Sequence, residues 1–282
     1  MQKEFLKEII VVDDHSTDDS LFTLRGYEER YPTLIKVYIN ADKGGNNARN
    51  YGFSMSTGAF IQWLDADDQV LPGKFSAQLD VFSRLKGIDI VYSDWRLDTY
   101  NENGEIGRTE TKIHKQYDDF LYELLVDNWS PPHNYILKRA IAGKLDEMQA
   151  WNSETPVLQD REYFTLAAIN GATFHYTPGV FSVYNRWSRQ SVSNNKSKRN
   201  DTLLDLLYKF MGCIDNNAAL DISKKKYYKK IIITNRLLTK LSGGNPLVKD
   251  KEIAWSNIYW PLIKGYSTRI KMMLSVGFNF FK

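Results

Sequence analysis

Ala59-Phe60-Ile61-Gln62-Trp63-Leu64-Asp65-Ala66-Asp67-Asp68 is the stretch that decides the fold. Six mostly apolar residues read as a buried strand, and the strand runs straight into three carboxylates. Carboxylates crowded at a strand end repel one another and gain stability from a divalent cation. A hard cation such as Mg²⁺ or Mn²⁺ takes oxygen ligands and tolerates phosphate oxygens beside protein ones. By itself Asp-x-Asp is short, and a solvated acidic loop after a strand accounts for it equally well.

Working outward, the same arrangement recurs upstream. Glu8-Ile9-Ile10-Val11-Val12 is a β-branched run ending in Asp13-Asp14. Ser16 or Thr17 is placed to cap a following helix, with Asp18 and Asp19 in its first turn. Leu34 to Ile39 reads as a second strand, Asn40 to Gly45 as a loop, and Asn46 to Met55 as a helix. Pro72 opens a helix reaching Leu85, and Ile88 to Tyr92 is a further strand. Strands alternating with helices imply an α/β chain with a Rossmann-like, mostly parallel sheet. Ligands of such sheets bind beyond the carboxyl ends of the strands, where both acidic clusters lie.

Downstream, Trp95 to Lys115 is polar, with Asn101-Glu102-Asn103-Gly104 as a hairpin turn. A helix from Tyr117 to Val126, a strand from Asn134 to Leu137 and a helix from Asp160 to Ile169 follow. Beyond Lys196 helical patterns take over, with basic runs at Lys224 to Lys226 and Lys229-Lys230. The expected division is a catalytic domain over 1–199 and a helical extension over 200–282.

Composition narrows the function classes. A net charge of +3 over 282 residues is too mild to imply nucleic acid. One cysteine, Cys213, excludes an internal disulfide framework and a Cys-rich metal site. The first eight residues lack the apolar core of a signal peptide, and no apolar run approaches a membrane span. The expectation is a cytoplasmic protein, possible at the inner face of the cell membrane. The last residues, Ile270 to Lys282, interleave Lys with bulky apolar side chains. They suit either a membrane-surface helix or a helix docked on the catalytic domain.

Three segments together carry a resemblance. Ile9-Ile10-Val11-Val12-Asp13-Asp14-His15-Ser16-Thr17-Asp18-Asp19-Ser20 is similar to the first acidic motif of the family 2 glycosyltransferases. Asn40-Ala41-Asp42-Lys43-Gly44-Gly45-Asn46-Asn47-Ala48-Arg49-Asn50-Tyr51-Gly52 resembles that family's loop-helix segment, and Gly58 to Asp68 its metal motif. They stand in the family's order and spacing, and the likeness extends from about Glu8 to Ser193. It implies the A-type glycosyltransferase fold and an inverting transfer from a nucleotide-sugar, UDP by default, to a glycan or lipid-linked hydroxyl in surface polysaccharide synthesis. It further implies that Asp13 or Asp14 contacts the nucleoside, that Lys43 and Arg49 lie near the nucleotide, that Asp65 faces ribose and diphosphate, and that Asp67 binds the metal. Leu158-Gln159-Asp160-Arg161-Glu162 resembles the family's base site, which makes Asp160 the general base; Gln159 stands where the family often has an acid.

Two departures bear on activity. The family fold opens with a strand and helix ahead of the first acidic motif, and that strand lies inside the sheet. Here Met1 falls just before the second strand, so neighbouring strands are expected to keep unpaired edges. A weakly active or inactive nucleotide-sugar or partner-binding protein is therefore the alternative reading. A nucleotidyltransferase is disfavoured, because no Gly-rich phosphate loop appears. In Val183 to Ser193, Asn185 and Trp187 replace an Arg and a His of the family, and Arg186 or Arg189 is left to supply charge at the diphosphate. On the acceptor side the resemblance points to Trp129, in a segment that reads equally as an apolar core turn. Trp151, among polar neighbours, reads as an exposed platform for a sugar face.

Overall fold

A computed structural model describes residues 3–187, 195–242 and 255–263. The chain forms two compact units: Met1–Tyr117, Ser130–Tyr163 and Ala172–Ser191 make the first, and Asp118–Trp129, Phe164–Gly171 and Val192–Lys282 the second. The expected boundary near Asn200 falls inside the second unit, which also takes in 118–129 and 164–171.

The first unit begins with β1 (Ile9–Asp13), α1 (Ser20–Arg30), β2 (Ile35–Ile39) and α2 (Gly45–Met55). It continues with β3 (Phe60–Ile61), β4 (Gln69–Val70), α3 (Lys74–Arg84), β5 (Ile90–Tyr100) and β6 (Ile106–Lys112). It is completed by β7 (Ile136–Lys138), α5 (Arg139–Glu147), the start of α6 (Gln159–Ile169) and β8 (Phe174–Trp187). The expected capping at Ser16 or Thr17 is corrected: Asp19 is the N-cap residue of α1, with no side-chain cap bond. The Ser16 amide is instead taken by Asp13 Oδ2 at 3.2 Å. That tight turn puts His15 at φ 62°, a left-handed conformation that His tolerates better than bulkier side chains.

The sheet comes in two pieces. β1 and β2 pair in parallel, and the other strands run in the order β3-β7-β5-β8-β4, with β6 added to β5. Among the described residues β1 pairs only with β2 and β3 only with β7, so each keeps an unpaired edge. β5 and β8 are parallel, whereas β3–β7, β4–β8, β5–β6 and β5–β7 are antiparallel. The sheet is therefore mixed, more so than strict strand–helix alternation implies.

β5 and β8 extend further than their apolar residues suggest, because the polar positions within them are buried and paired. Asp94 accepts from the His114 amide, the Tyr176 hydroxyl and the Gly179 amide. Asp98 accepts from Arg96 and Thr109. Gly179 sits at φ 128°, and a Cβ there would lie 2.6 Å from the Phe181 ring, so only glycine fits. The core around the sheet is formed by Ile90, Val91, Tyr92, Ile136, Leu137 and Val183. Behind it Lys74 is fully buried, donating to Gln78 Oε1 at 2.5 Å and to the Asn134 carbonyl at 3.0 Å.

The second unit is helical. It holds α4 (Phe120–Leu125), the end of α6, α7 (Lys196–Asn216), α8 (Ile222–Ser242) and short turns at 255–257 and 260–262. In α7 the residues Leu203, Leu206, Leu207, Phe210, Met211 and Ile214 recur at helical spacing and are buried; α8 packs against it with Ile231, Ile232, Ile233 and Leu237 buried. Asn195 caps α7 through the Lys198 amide. Tyr122, Tyr227 and Tyr259 form an aromatic cluster. No helix among the described residues is long and apolar enough to cross a membrane. The segment Ile270 to Lys282, singled out for a membrane surface or a docked helix, lies outside the described residues.

Candidate active site

The carboxyl end of β1 presents Asp13 and Asp14, and the structure separates their roles. Asp14 is taken up by its own fold: Oδ1 accepts from Asn40 Nδ2 and from the Gly44 amide, both at 2.8 Å. It thereby pins the loop leading into α2. Asp13 is 6% exposed, and its Oδ1 has no protein partner. A buried acceptor left open is costly unless a ligand donor fills it, so Asp13 is the better candidate of the two for the nucleoside. Lys43, on the same loop, is exposed; its carbonyl accepts from Asn47 Nδ2.

The three carboxylates after β3 are also unalike. Asp65, with its side chain about a third exposed, meets Arg49 Nη2 at 2.5 Å. Asp68 is buried: Oδ1 accepts from the Asn185 amide at 2.8 Å, and Oδ2 lies 2.9 Å from His133 Nδ1. That second contact is close but not aligned as a hydrogen bond, and His133 Nε2 has no protein partner. Only Asp67 is exposed with an uncommitted carboxylate, held up from the usual range by partial desolvation and by the neighbouring charges of Asp68 and Asp65. Among the described residues no group of three or more His, Cys, Asp or Glu is arranged to hold a metal ion. What fits is a cation bound by one carboxylate, Asp67, with ligand phosphate oxygens completing its shell, a mode that Mg²⁺ favours.

Asn185, where the resemblance leads one to look for an arginine, holds this turn from β8. Besides its amide bond to Asp68, its Nδ2 donates to the Asp67 carbonyl at 2.6 Å. Trp187 stacks on Tyr100 with centroids 4.1 Å apart. Arg186 lies 6.0 Å from the Tyr184 ring and acts electrostatically on the Glu110 carboxyl. Arg189 lies outside the described residues.

Asp160 enters at the N-terminus of α6. Burial pushes its carboxyl up to about 6; Asp65 adds to the shift, while the Arg161 amide bond and Arg49 oppose it. A carboxylate titrating there suits a general base near neutral pH. Arg49 joins the parts. Its Nη1 donates to Asn46 Oδ1 at 3.0 Å and to Gln159 Oε1 at 3.3 Å, its Nη2 holds Asp65, and its guanidinium lies 4.6 Å over the Trp151 ring. Arg49, Asp65 and Asp160, read from three separate stretches of sequence, thus come to one place.

Trp151 needs correction. It is 3% exposed, stacked on Tyr163 with centroids 4.3 Å apart and covered by Arg49. It is a buried platform for the arginine and presents no open face to a sugar. Trp129 is half-buried and belongs to the second unit. The sequence reading passed over Asn46 and Asn50, which hold the 151–152 loop by donating to the Asn152 and Trp151 carbonyls. It also passed over His133 as a partner of Asp68, and over Asn185 as a clamp. The asparagines had a signal: with Arg49 they form a polar face at helical spacing on α2.

Residues 1–96 match the family described as Glycosyl transferase family 2. The chain is 37% identical over 109 residues to the minor teichoic acid biosynthesis protein GgaB of Bacillus subtilis (strain 168), a match covering 36% of this chain and 12% of that protein. The matched stretches span about a quarter or less of the length of several such relatives. Among solved structures, S. aureus TarS 1-349 in complex with UDP-GlcNAc superposes with a TM-score of 0.61 at 17% identity, covering 87% of this chain and 68% of that one. The mannosyltransferase PcManGT from Pyrobaculum calidifontis, in complex with GDP-Man and Mn²⁺, does so at 0.53 and 15% identity, covering 97% and 78%. At such identities these likenesses speak for the fold.

Proposed function

We propose that this chain, whose residues 1–96 match the family described as Glycosyl transferase family 2, moves a sugar from a UDP-sugar to an acceptor hydroxyl with inversion, in the assembly of a surface polysaccharide. The observation that carries this reading is the Arg49 junction, which ties Asp65 on the donor side to Gln159, the residue adjoining Asp160. The likeness to a UDP-GlcNAc-bound structure supports the donor class, and the teichoic acid relative supports the acceptor class.

In this reading Asp13 Oδ1 accepts from the nucleoside, and the Asp65 carboxylate, oriented by Arg49, accepts from the ribose. Asp67 would hold Mg²⁺ or Mn²⁺, which would supply neutralisation of the charge that develops on the leaving nucleoside diphosphate. Arg186 adds a positive charge there, and Lys43 borders the nucleotide. Asp160 takes the proton of the acceptor hydroxyl as that oxygen attacks the anomeric carbon. Attack by that oxygen on the face opposite the departing nucleoside diphosphate, whose bond to the anomeric carbon breaks, inverts the centre.

A thermal-shift screen of nucleotide sugars with and without Mn²⁺, followed by a nucleoside diphosphate release assay on the hits, tests this. A shift that needs both donor and Mn²⁺, with release abolished in Asp160→Asn, is the expected result. Absence of any such shift sinks the proposal. The unpaired edges of β1 and β3 favour a second reading, a nucleotide-sugar binder with little turnover. Mn²⁺-dependent donor binding without release by the parent chain selects it.

A further inference from the structure

We propose that Gln159 is a positioning residue that couples the nucleotide side of the site to the base, an inference that rests on Asp160 acting as that base. Its amide reaches in two directions. Oε1 accepts from Arg49 Nη1 at 3.3 Å, while the other end of the same guanidinium holds Asp65 at 2.5 Å. Nε2 donates to the Thr155 carbonyl at 2.9 Å, closing the loop that leads into α6. Inside that loop Leu158 sits at φ 60°, a conformation that a leucine rarely adopts and that persists only where its surroundings enforce it. The Leu158 carbonyl then accepts from the Glu162 amide, and Asp160 Oδ1 accepts from the Arg161 amide. One side chain thus closes the loop from which this first turn and its carboxylate start, and is also bonded to the arginine holding Asp65.

A primary amide suits this position for a reason of charge. It offers one acceptor to a cation and one donor to a carbonyl, and it adds no charge beside Asp160. A carboxylate at 159 keeps the bond to Arg49, loses the donor to Thr155, and adds a like charge next to Asp160. The groups already acting there are Asp65 and Arg49 as charges and Tyr135 and Tyr184 as titratable hydroxyls. An aliphatic side chain removes both arms.

The test uses the full chain, the donor selected by the thermal-shift screen, Mn²⁺, and the variants Gln159→Glu, Gln159→Leu and Asp160→Asn, with turnover measured against pH and donor concentration. Gln159→Leu is expected to lower kcat roughly 10-fold or more at nearly unchanged donor KM, as loss of orientation does. Gln159→Glu is expected to move the acidic limb of kcat/KM up by about one pH unit, by like-charge repulsion, and to recover activity at alkaline pH. A merely structural role lowers the active fraction in both variants and leaves the pH profile where it was. Parent-like kcat in Gln159→Leu, or a Gln159→Glu profile superimposed on the parent's, overturns the inference; if Gln159→Leu does not fold, the Gln159→Glu profile decides alone. Full activity in Asp160→Asn, or a parent without turnover, overturns the underlying reading as well, whereas an inactive Asp160→Asn beside indifferent Gln159 variants strikes the coupling only.

Discussion

At the scale of single residues, the site separates side chains that look interchangeable in the sequence. Asp13 and Asp14 are adjacent, yet one is bonded on both sides and the other keeps an open buried oxygen. Asp160 shows what such placement costs. Its carboxyl is pushed up to about 6 from an ordinary value near 3.8, chiefly by burial. The folded state thus binds a proton that the unfolded chain has released between those values. The stabilising contribution is complete below about pH 4 and is lost as pH rises through about 6. Catalysis runs the other way, because the base must be ionised: kcat/KM should rise with pH to a plateau above about 6. Asp160→Asn should therefore be inactive and more stable than the parent at pH 7, by at most about 3 kcal/mol given partial solvent access, with the difference vanishing below about pH 4; thermal melts across that range check it. Asn185 makes a second residue-scale prediction. Asn185→Ala leaves the Asp67 carbonyl without its 2.6 Å donor. It should cost roughly 1–2 kcal/mol of stability and weaken Mn²⁺-dependent donor binding about tenfold, read by titration.

At the scale of elements, α3 carries a group at odds with its surroundings. Lys74 lies fully buried against Gln78 and Asn134, and burial holds its amine well below the ordinary 10.5. The unfolded chain keeps a proton that the folded chain gives up, so stability should go on rising as pH is raised toward 10.5. Denaturant midpoints from pH 7 to 10 should climb in the parent and flatten in Lys74→Met; equal slopes would remove Lys74 as the cause. β5 and β8 show why element lengths were misjudged. Asp94, Arg96 and Asp98 interrupt the apolar run after Tyr92, and in sequence they look like the end of a strand. In the fold Asp94 and Asp98 are buried acceptors satisfied by His114, Tyr176, Gly179, Arg96 and Thr109, so the strand continues. Such partners are distant in sequence, and no local pattern announces them. The hairpin turn at Asn101 to Gly104 was legible because its chemistry is local: Asn101 Oδ1 accepts from the Asn103 and Glu105 amides, and Gly104 takes φ 78°.

At the scale of the whole molecule, the division of the sheet is the feature with physical consequences. β1 and β2 form a two-stranded ribbon with mostly half-buried residues, whereas β5 lies between strands on both sides with Ile90, Val91 and Tyr92 fully buried. A two-stranded pair opens locally at far less cost than a strand inside a six-stranded sheet. Amide hydrogens of β1 and β2 should therefore exchange on the order of 100-fold faster than those of β5, measured by hydrogen–deuterium exchange at neutral pH. Comparable protection in both would mean that something covers the free edge of β1. Donor and Mn²⁺ together should slow exchange at the carboxyl end of β1, because Asp13 lies there.

The sequence alone determined the α/β class, carried the likeness that the family model matches over residues 1–96, and pointed to a candidate site beyond the ends of β1 and β3. Those properties rest on short-range patterns: β-branched runs, acidic strand ends, a polar helix face. Tertiary structure alone decided which carboxylate is free. Asp14 is engaged by Asn40 and Gly44, Asp65 by Arg49, and one oxygen of Asp68 by Asn185, whereas Asp67 keeps an uncommitted carboxylate and Asp13 an open inner oxygen. It also turned Trp151 from an exposed sugar platform into a buried support for Arg49. The physical reason is the same in each case. A side chain's charge and shape are written in the sequence, but whether its hydrogen-bonding capacity is already spent depends on partners as far as 117 residues away, which only the fold brings within reach.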